Sequence, residues 1–301
     1  MELRHLRYFV AVAEELHFTR AAERLHIGQP PLSQQIQALE AELGVLLFER
    51  NRRRVRLTPA GERFLAHARQ ILAATDAAAR DARRAACGEV GELSVGFTSS
   101  LPFTSLLPAV LNDYRHDYPD VTLTLRESFT AEQFAALAHG RLDVGFVRFT
   151  GIEPPPGLAV REIRRDALRL VIHARHPLAE APMLSLAALR DEPFITYPRD
   201  AGTGLGRLVR RLCLAAGFEP HIVQEAREAT TQIGLVAAGL GVALLPAPLE
   251  CVRLAGVRYL PLADAGAHVS LGVATRANDA SPLLAHFLTT LDARLRAGDA
   301  Q

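Results

Sequence analysis

Two adjacent prolines, Pro30 and Pro31, stand at the head of a run that otherwise favours a helix, in GQPPLSQQIQALEAEL (28–43). Proline has no N–H and is tolerated in a helix's first turn, where amide protons lack an intrahelical partner anyway. A helix therefore begins here with a fixed start. Downstream, Leu32, Ile36, Leu39 and Leu43 fall at i, i+4, i+7 and i+11, a single apolar stripe. Ser33, Gln34 and Gln37 must then face away from that stripe. One side anchors the helix, and the other presents amides and a hydroxyl with little charge.

The surrounding chain gives this helix a setting. Leu3, Leu6, Phe9, Val10 and Ala13 recur at helical spacing. Thr19 is the expected N-cap of a second, short helix that buries Ala21, Ala22 and Leu25. Gly28 is expected to allow a sharp turn before the prolines. A short helix, a turn and a helix with one buried face make helix-turn-helix geometry. Next, Arg50, Arg52, Arg53, Arg54 and Arg56 crowd a segment in which Val55 and Leu57 alternate with arginines, as in a small β-wing. Thr58 then caps a long helix predicted from about Pro59 to Ala86. Its stripe of Phe64, Leu65, Ala68, Ile71, Leu72, Thr75, Ala78 and Ala79 has little of its own chain to pack on, so a partner helix from a second subunit is expected.

Beyond the glycines of CGEVGEL the pattern changes. ELSVGF, VTLTLRE and LDVGFV read as strands separated by helices, a βαβαβ unit with a largely parallel sheet. After EPPPG, strands at LRLVIHA and PFITYP start a second such unit, and a strand and an amphipathic helix end the chain. The predicted fold class is α + α/β. It comprises a helix-turn-helix with a small β-wing at 1–58, a long helix at 59–88 and an α/β domain of two lobes at 89–301. Two α/β lobes with a cleft suit a small-molecule binding module.

A net charge of +1 excludes a globally basic nucleic-acid binder and requires a local patch instead. All the basic side chains other than histidine are arginines, which read phosphate and guanine well. Gln and Ser on an exposed helical face can pair with base edges and phosphates in a major groove. Alone they are ordinary polar surface, but together with a clamped helix start and an arginine wing they point to double-stranded DNA. The three cysteines, Cys87, Cys213 and Cys251, are far apart and read as reduced thiols. The first residues do not form a signal peptide and no apolar run is long enough to span a bilayer, so a soluble cytoplasmic protein is expected. No cofactor or metal is expected. GxSxG, HExxH and Walker patterns are missing, and His173, His176 and His221 lack metal-ligand spacing.

LRYFVAVAEELHFTRAAERLHIGQPPLSQQIQALEAELGVLLFER followed by LTPAG resembles the N-terminus of LysR-type transcriptional regulators. The resemblance implies a winged helix-turn-helix at 1–58, a linker helix at 59–88 that makes a homodimer, commonly a homotetramer, and a two-lobed, periplasmic-binding-protein-like effector domain at 89–301, with lobe I at about 89–162 and 267–301 and lobe II at about 163–266. It also implies an inducer in the cleft and, by altered DNA bending, changed access for RNA polymerase. By that analogy Gln29, Pro30, Ser33, Gln34 and Gln37 meet operator DNA, and Arg50, Arg52 and Arg53 belong to the wing. Many members have arginine where this chain has Gln34. MELRHLRYFVAV, GQPPLSQQIQ, GRLDVGFVR and GLVAAGLGVALLP are similar to the muconate- and chloromuconate-responsive branch. That branch has a hydroxyl after the first effector-domain strand, another opening the second helix, and an arginine ending the third strand. The matching positions are Ser100 (with Leu101 beside it), Thr130 and Arg148, which suit a small anionic inducer, a carboxylate that is muconate-like or aromatic-derived.

Each of these has a plainer reading. Ser100 or Thr130 alone could be a helix cap, and Arg148 could pair with Glu153 on the surface. AGTGLG (201–206), with Thr203, and Thr230 further on are read as the opposite wall of the cleft. Two rival functions stand beside a regulator. An α/β enzyme acting on small carboxylates would need a nucleophile–base pair or a cofactor loop, and none is evident. A periplasmic solute-binding protein would need an export signal.

Overall fold

The computed structural model describes residues 1–51, 54–151, 153–198, 202 and 204–298. The chain divides into two compact units, Met1–Ala85 and a second from Ala86 onward. In the first, α1 (Leu3–Glu15), α2 (Phe18–Arg24) and α3 (Gln29–Leu43) precede a hairpin of β1 (Phe48–Asn51) and β2 (Arg54–Leu57). The long helix α4 (Pro59–Ala86) follows. Leu32, Ile36 and Leu39 of α3 are fully buried in one cluster with Phe9 and Val12 of α1 and Ala21 and Ala22 of α2. The Phe9 ring, 5.2 Å from Phe48 and 5.0 Å from Phe64, joins the three helices to the hairpin and to α4.

Local details differ from expectation in two places. Thr19 does not cap α2. His17 is the N-cap, and its ring Nδ1 accepts from the Arg20 N–H at 3.4 Å. The turn into α3 takes its left-handed residue at His26 (φ 55°), not at Gly28, which is extended. Glycine serves at 28 because a Cβ there would lie 3.2 Å from the Pro31 Cδ. Thr58 behaves as expected. Its Oγ1 accepts from Gly61 N–H at 2.9 Å and donates to Leu46 C=O at 2.7 Å, tying the start of α4 to the hairpin. The apolar stripe of α4 is only half used. Ala68 is buried and Phe64, Leu65 and Leu72 pack on the core, but Ile71 is 40% exposed and Ala78 and Ala79 are exposed.

The second unit holds two lobes of the same plan. In lobe I the order is β3 (Gly91–Phe97), α5 (Leu106–Asp117), β4 (Val121–Glu127), α6 (Thr130–Ala138) and β5 (Val144–Phe149). Strand β3 pairs in parallel with β4 and β5. In lobe II, β7 (Pro193–Thr196), α7 (Leu205–Ala215), β8 (His221–Glu225), α8 (Ala229–Ala237) and β9 (Ala243–Pro246) repeat it. Strand β7 pairs in parallel with β8 and bridges in parallel to Val242, just before β9.

The repeat therefore starts at β7 and not at LRLVIHA. That segment is the end of β6 (Leu158–His173), one long strand that serves both sheets. Its first part pairs antiparallel with β11 (His268–Arg276) in lobe I, and its last part pairs antiparallel with β9 and β10 (Val257–Pro261) in lobe II. The change of sheet falls between Ala167 and Leu168. Helix α9 (Pro282–Gly298) packs on lobe I, where Leu284, Phe287 and Leu291 join its core. Among the described residues no helix is long and apolar enough to cross a membrane, and no group of three or more His, Cys, Asp or Glu is placed to hold a metal ion.

Candidate functional site

Helix α3 presents its polar side as the stripe requires. Gln29, Pro30, Gln34 and Gln37 are exposed and Ser33 is half-buried. None of the four polar side chains has a hydrogen-bond partner among the described residues. Gln35, by contrast, turns back to His5, with Oε1 and Nε2 2.8 Å apart. Of the first three helical positions only Gln29 retains an N–H, because Pro30 and Pro31 follow it. At the positive end of the helix dipole the Gln29 N–H thus has no backbone acceptor among the described residues, and it suits an anion.

The hairpin is held by a residue that sequence reasoning passed over. Glu40, near the end of α3, is 5% exposed. Its Oε1 accepts from the N–H groups of Leu47 (2.8 Å) and Phe48 (3.0 Å), and its Oε2 accepts from Arg50 Nη2 at 2.7 Å. The Arg50 guanidinium also lies 5.0 Å above the Phe18 ring. One carboxylate therefore joins α3, β1 and α2. Arg50 is committed to this junction, and Arg52 and Arg53 lie outside the described residues.

In the second unit the strand and helix ends converge between the lobes. Arg148, at the end of β5, is 5% exposed, so it does not pair with Glu153 on the surface. Its Nε donates to Ser100 Oγ at 2.7 Å, and its Nη1 donates to Asp166 Oδ2 at 2.7 Å. Asp166, on β6, is itself buried and also pairs with Arg164, whose Nε is 2.8 Å from Oδ1. The Arg148 Nη2 is buried and has no acceptor among the described residues. Burial pushes the Arg148 pKa down, and the charge and hydrogen bond of Asp166 oppose that shift. Ser100 accepts through its oxygen, so its hydroxyl proton is free to be donated elsewhere.

Neither hydroxyl is a helix cap. Ser100 makes no capping bond, and Thr130 is the first residue of α6, after Phe129 at the N-cap. The Thr130 Oγ1 donates to the Arg148 C=O at 2.9 Å and accepts from the Arg148 N–H at 3.2 Å. Both capacities go to one residue's backbone, so Thr130 positions Arg148.

These groups border a cavity of ≈ 30 Å³. Lobe I contributes Thr98, Ser99, Ser100, Thr130 and Arg148, and lobe II contributes Tyr197, Leu205 and Pro246. Phe129 reaches across from lobe I into the apolar core of lobe II, edge-on to Tyr197. Burial pushes the Tyr197 phenol upward, so it stays a neutral donor. The cavity holds about one or two waters, so an organic acid fits only if the lobes part.

The remaining expected wall residues are not all here. Leu101 is fully buried in the lobe I core, and Thr203 lies outside the described residues. Gly202, Gly204 and Gly206 line a separate pocket of ≈ 320 Å³ beside α7 and β8. Gly202 does face lobe I, since a Cβ there would be 2.4 Å from the Ala131 Cβ. Thr230 is exposed in the first turn of α8 and lines neither space. The internal repeat gives the reason. Gln133 and Gln232 are both buried and both donate to the turn before their helix, at Ser128 C=O (2.9 Å) and Ala226 C=O (3.0 Å). Aligned on them, the lobe II counterpart of Thr130 is Ala229, one residue earlier than Thr230.

Residues 3–62 match the family described as "Bacterial regulatory helix-turn-helix protein, lysR family", and residues 87–296 match "LysR substrate binding domain". The chain belongs to the LysR family of transcriptional regulators. It is a ligand-responsive, DNA-binding LysR regulator and not an enzyme. An uncharacterized HTH-type transcriptional regulator, YnfL, of Escherichia coli (strain K12) is 51% identical over 264 residues, covering 88% of each chain. The crystal structure of full-length CbnR complexed with its target DNA matches with TM-score 0.82 at 34% identity, covering 98% of this chain and 100% of that one. The BenM effector-binding domain with its effector benzoate matches with TM-score 0.62 at 29% identity, covering 70% of this chain and 95% of that one. The LysR architecture, an N-terminal helix-turn-helix followed by a two-lobed α/β effector domain, is thus the one expected from the sequence.

Proposed function

We propose that this LysR regulator takes a small carboxylate, aromatic-derived or muconate-like, between its effector lobes and converts lobe movement into altered grip on operator DNA. The observation that carries the reading is Arg148, a buried guanidinium with one nitrogen lacking an acceptor among the described residues, beside the Ser100 hydroxyl, whose oxygen accepts from Arg148 Nε and whose proton is left to donate. A buried donor of this kind is costly unless something accepts from it, and a carboxylate accepts from both groups at once. The likeness to the BenM domain with benzoate supports the ligand class.

On the DNA side, Gln29, Ser33, Gln34 and Gln37 face the major groove, and Pro30 fixes the helix start. Arg52 and Arg53 neutralise phosphates or enter a minor groove, while Arg50 steadies the wing through Glu40. The likeness to CbnR bound to its target DNA supports this side. The exposed stripe of α4, with Ile71, Ala78 and Ala79, pairs with the same helix of a second copy, and dimers associate further into a tetramer. The effector binds the two lobe arrangements unequally, which shifts their populations and changes access for RNA polymerase.

A thermal-shift screen of the full chain with benzoate, muconate, chlorinated muconates and other small carboxylates tests the reading. One class should raise the melting temperature by mass action, and Arg148→Met should abolish that rise. A panel without any shift, or a shift that Arg148→Met retains, refutes the assignment.

A further inference from the structure

We propose that Asp166 sets how much negative charge the cleft accepts, and so acts as a specificity-determining residue for the effector. The inference rests on the carboxylate reading of the cleft. Asp166 is 7% exposed and is shared by two arginines, with Arg148 Nη1 at 2.7 Å and Arg164 Nε at 2.8 Å. Two guanidiniums and one carboxylate leave a single net positive charge around the buried Arg148–Asp166 pair, with Arg164 reaching toward solvent. At the buried pair, charge imbalance is expensive because water cannot screen it. One effector carboxylate brings the cluster to neutrality. A second carboxylate adds an uncompensated charge and is repelled by Asp166 as well.

The geometry of the donors agrees with the charge count. Asp166 takes one N–H of Nη1 and Ser100 takes the N–H of Nε, so among the described residues Nη2 is the one guanidinium nitrogen of Arg148 with no acceptor, and it turns to an incoming anion. Among the described residues that line the cavity, Arg148 is the sole cation. Asp166 thereby does two things at once: it aims Arg148, and it spends part of its charge. Its place two residues before β6 changes sheets puts this balance beside the strand that links the lobes.

Calorimetric titration of the full chain with benzoate and with cis,cis-muconate tests the inference in the wild type and three variants. Asp166→Asn raises the cluster's charge by one, and the muconate-to-benzoate affinity ratio should rise about tenfold, the factor for one charge roughly 10 Å away at an effective dielectric constant near 20. Asp166→Glu keeps the charge and should keep the ratio. Arg164→Gln, at a side chain 34% exposed, lowers the charge by one and should reduce the ratio by a smaller factor, about threefold, because water screens it, which carries the test if Asp166→Asn does not fold. A purely structural role weakens both ligands together, so a constant ratio in Asp166→Asn and Arg164→Gln overturns the inference while the cleft reading stands. Failure of the wild type to bind either acid overturns both.

Discussion

Glu40 gives the sharpest mechanical test of the DNA-reading unit. Replacing it by Ala strands two N–H groups, those of Leu47 and Phe48, at residues that are 1% and 2% exposed. Each unmet buried donor costs about 1–3 kcal/mol. The lost partner of Arg50 adds less, because that side chain is 28% exposed and can turn to water. Glu40→Ala should therefore destabilise the unit by about 3–5 kcal/mol, in the range for breaking a buried pair. Glu40→Gln keeps an oxygen for the two N–H groups but points an amide N–H₂ at Arg50, so the loss falls to about 1.5–2 kcal/mol. Urea denaturation of the full chain, followed by circular dichroism and by operator binding in parallel, measures both. The helix-turn-helix transition should move to lower urea in the order wild type, Gln, Ala, with DNA affinity falling in the same order. A loss below about 1 kcal/mol for Glu40→Ala would refute the reasoning, because the buried acceptor would then be dispensable.

Three further outcomes are expected. Gly61→Ala should destabilise by roughly 2–3 kcal/mol despite alanine's better helix propensity of about 1 kcal/mol, because its Cβ would lie 2.1 Å from the Leu47 C=O; a neutral result in thermal unfolding contradicts the close approach. Thr130→Val should weaken carboxylate binding by freeing the Arg148 backbone, and Thr130→Ser should restore it in the same titration. Tyr114 is pushed up to about 12 by burial, above its unfolded value, so its contribution is complete below about pH 10 and is lost as pH rises toward 12. Tyr114→Phe should then flatten the alkaline fall in stability by up to one proton, about 1.4 kcal/mol per pH unit, and an unchanged slope refutes it.

Much of the helical unit was legible because its signals are local. The proline pair, the leucine stripe of α3 and the Thr58 cap each act within a turn or two. Glu40 and Asp166 were not legible, because a carboxylate in a sequence reads as surface until its partners 7 to 18 residues away are known. The arginine of the cleft comes from the resemblance, and its plainer alternative, a surface pair with Glu153, fails because Arg148 is buried against Asp166 and Ser100, 18 and 48 residues away. His17 was overlooked as a cap because a ring nitrogen does there what a hydroxyl usually does. Strand β6 was half seen, since one strand shared by two sheets has no sequence mark at the Ala167/Leu168 change. Thr230 was chosen for its hydroxyl, and only the matched Gln133 and Gln232 show that the register falls on Ala229.

A crystal structure of the full chain soaked with the carboxylate that scores in the thermal screen tests the central claim most directly. The account expects the carboxylate between the lobes, accepting from Ser100 Oγ and Arg148 Nη2, with the ≈ 30 Å³ cavity widened around it. Density for the acid in the ≈ 320 Å³ pocket beside α7, with Arg148 untouched, would contradict it.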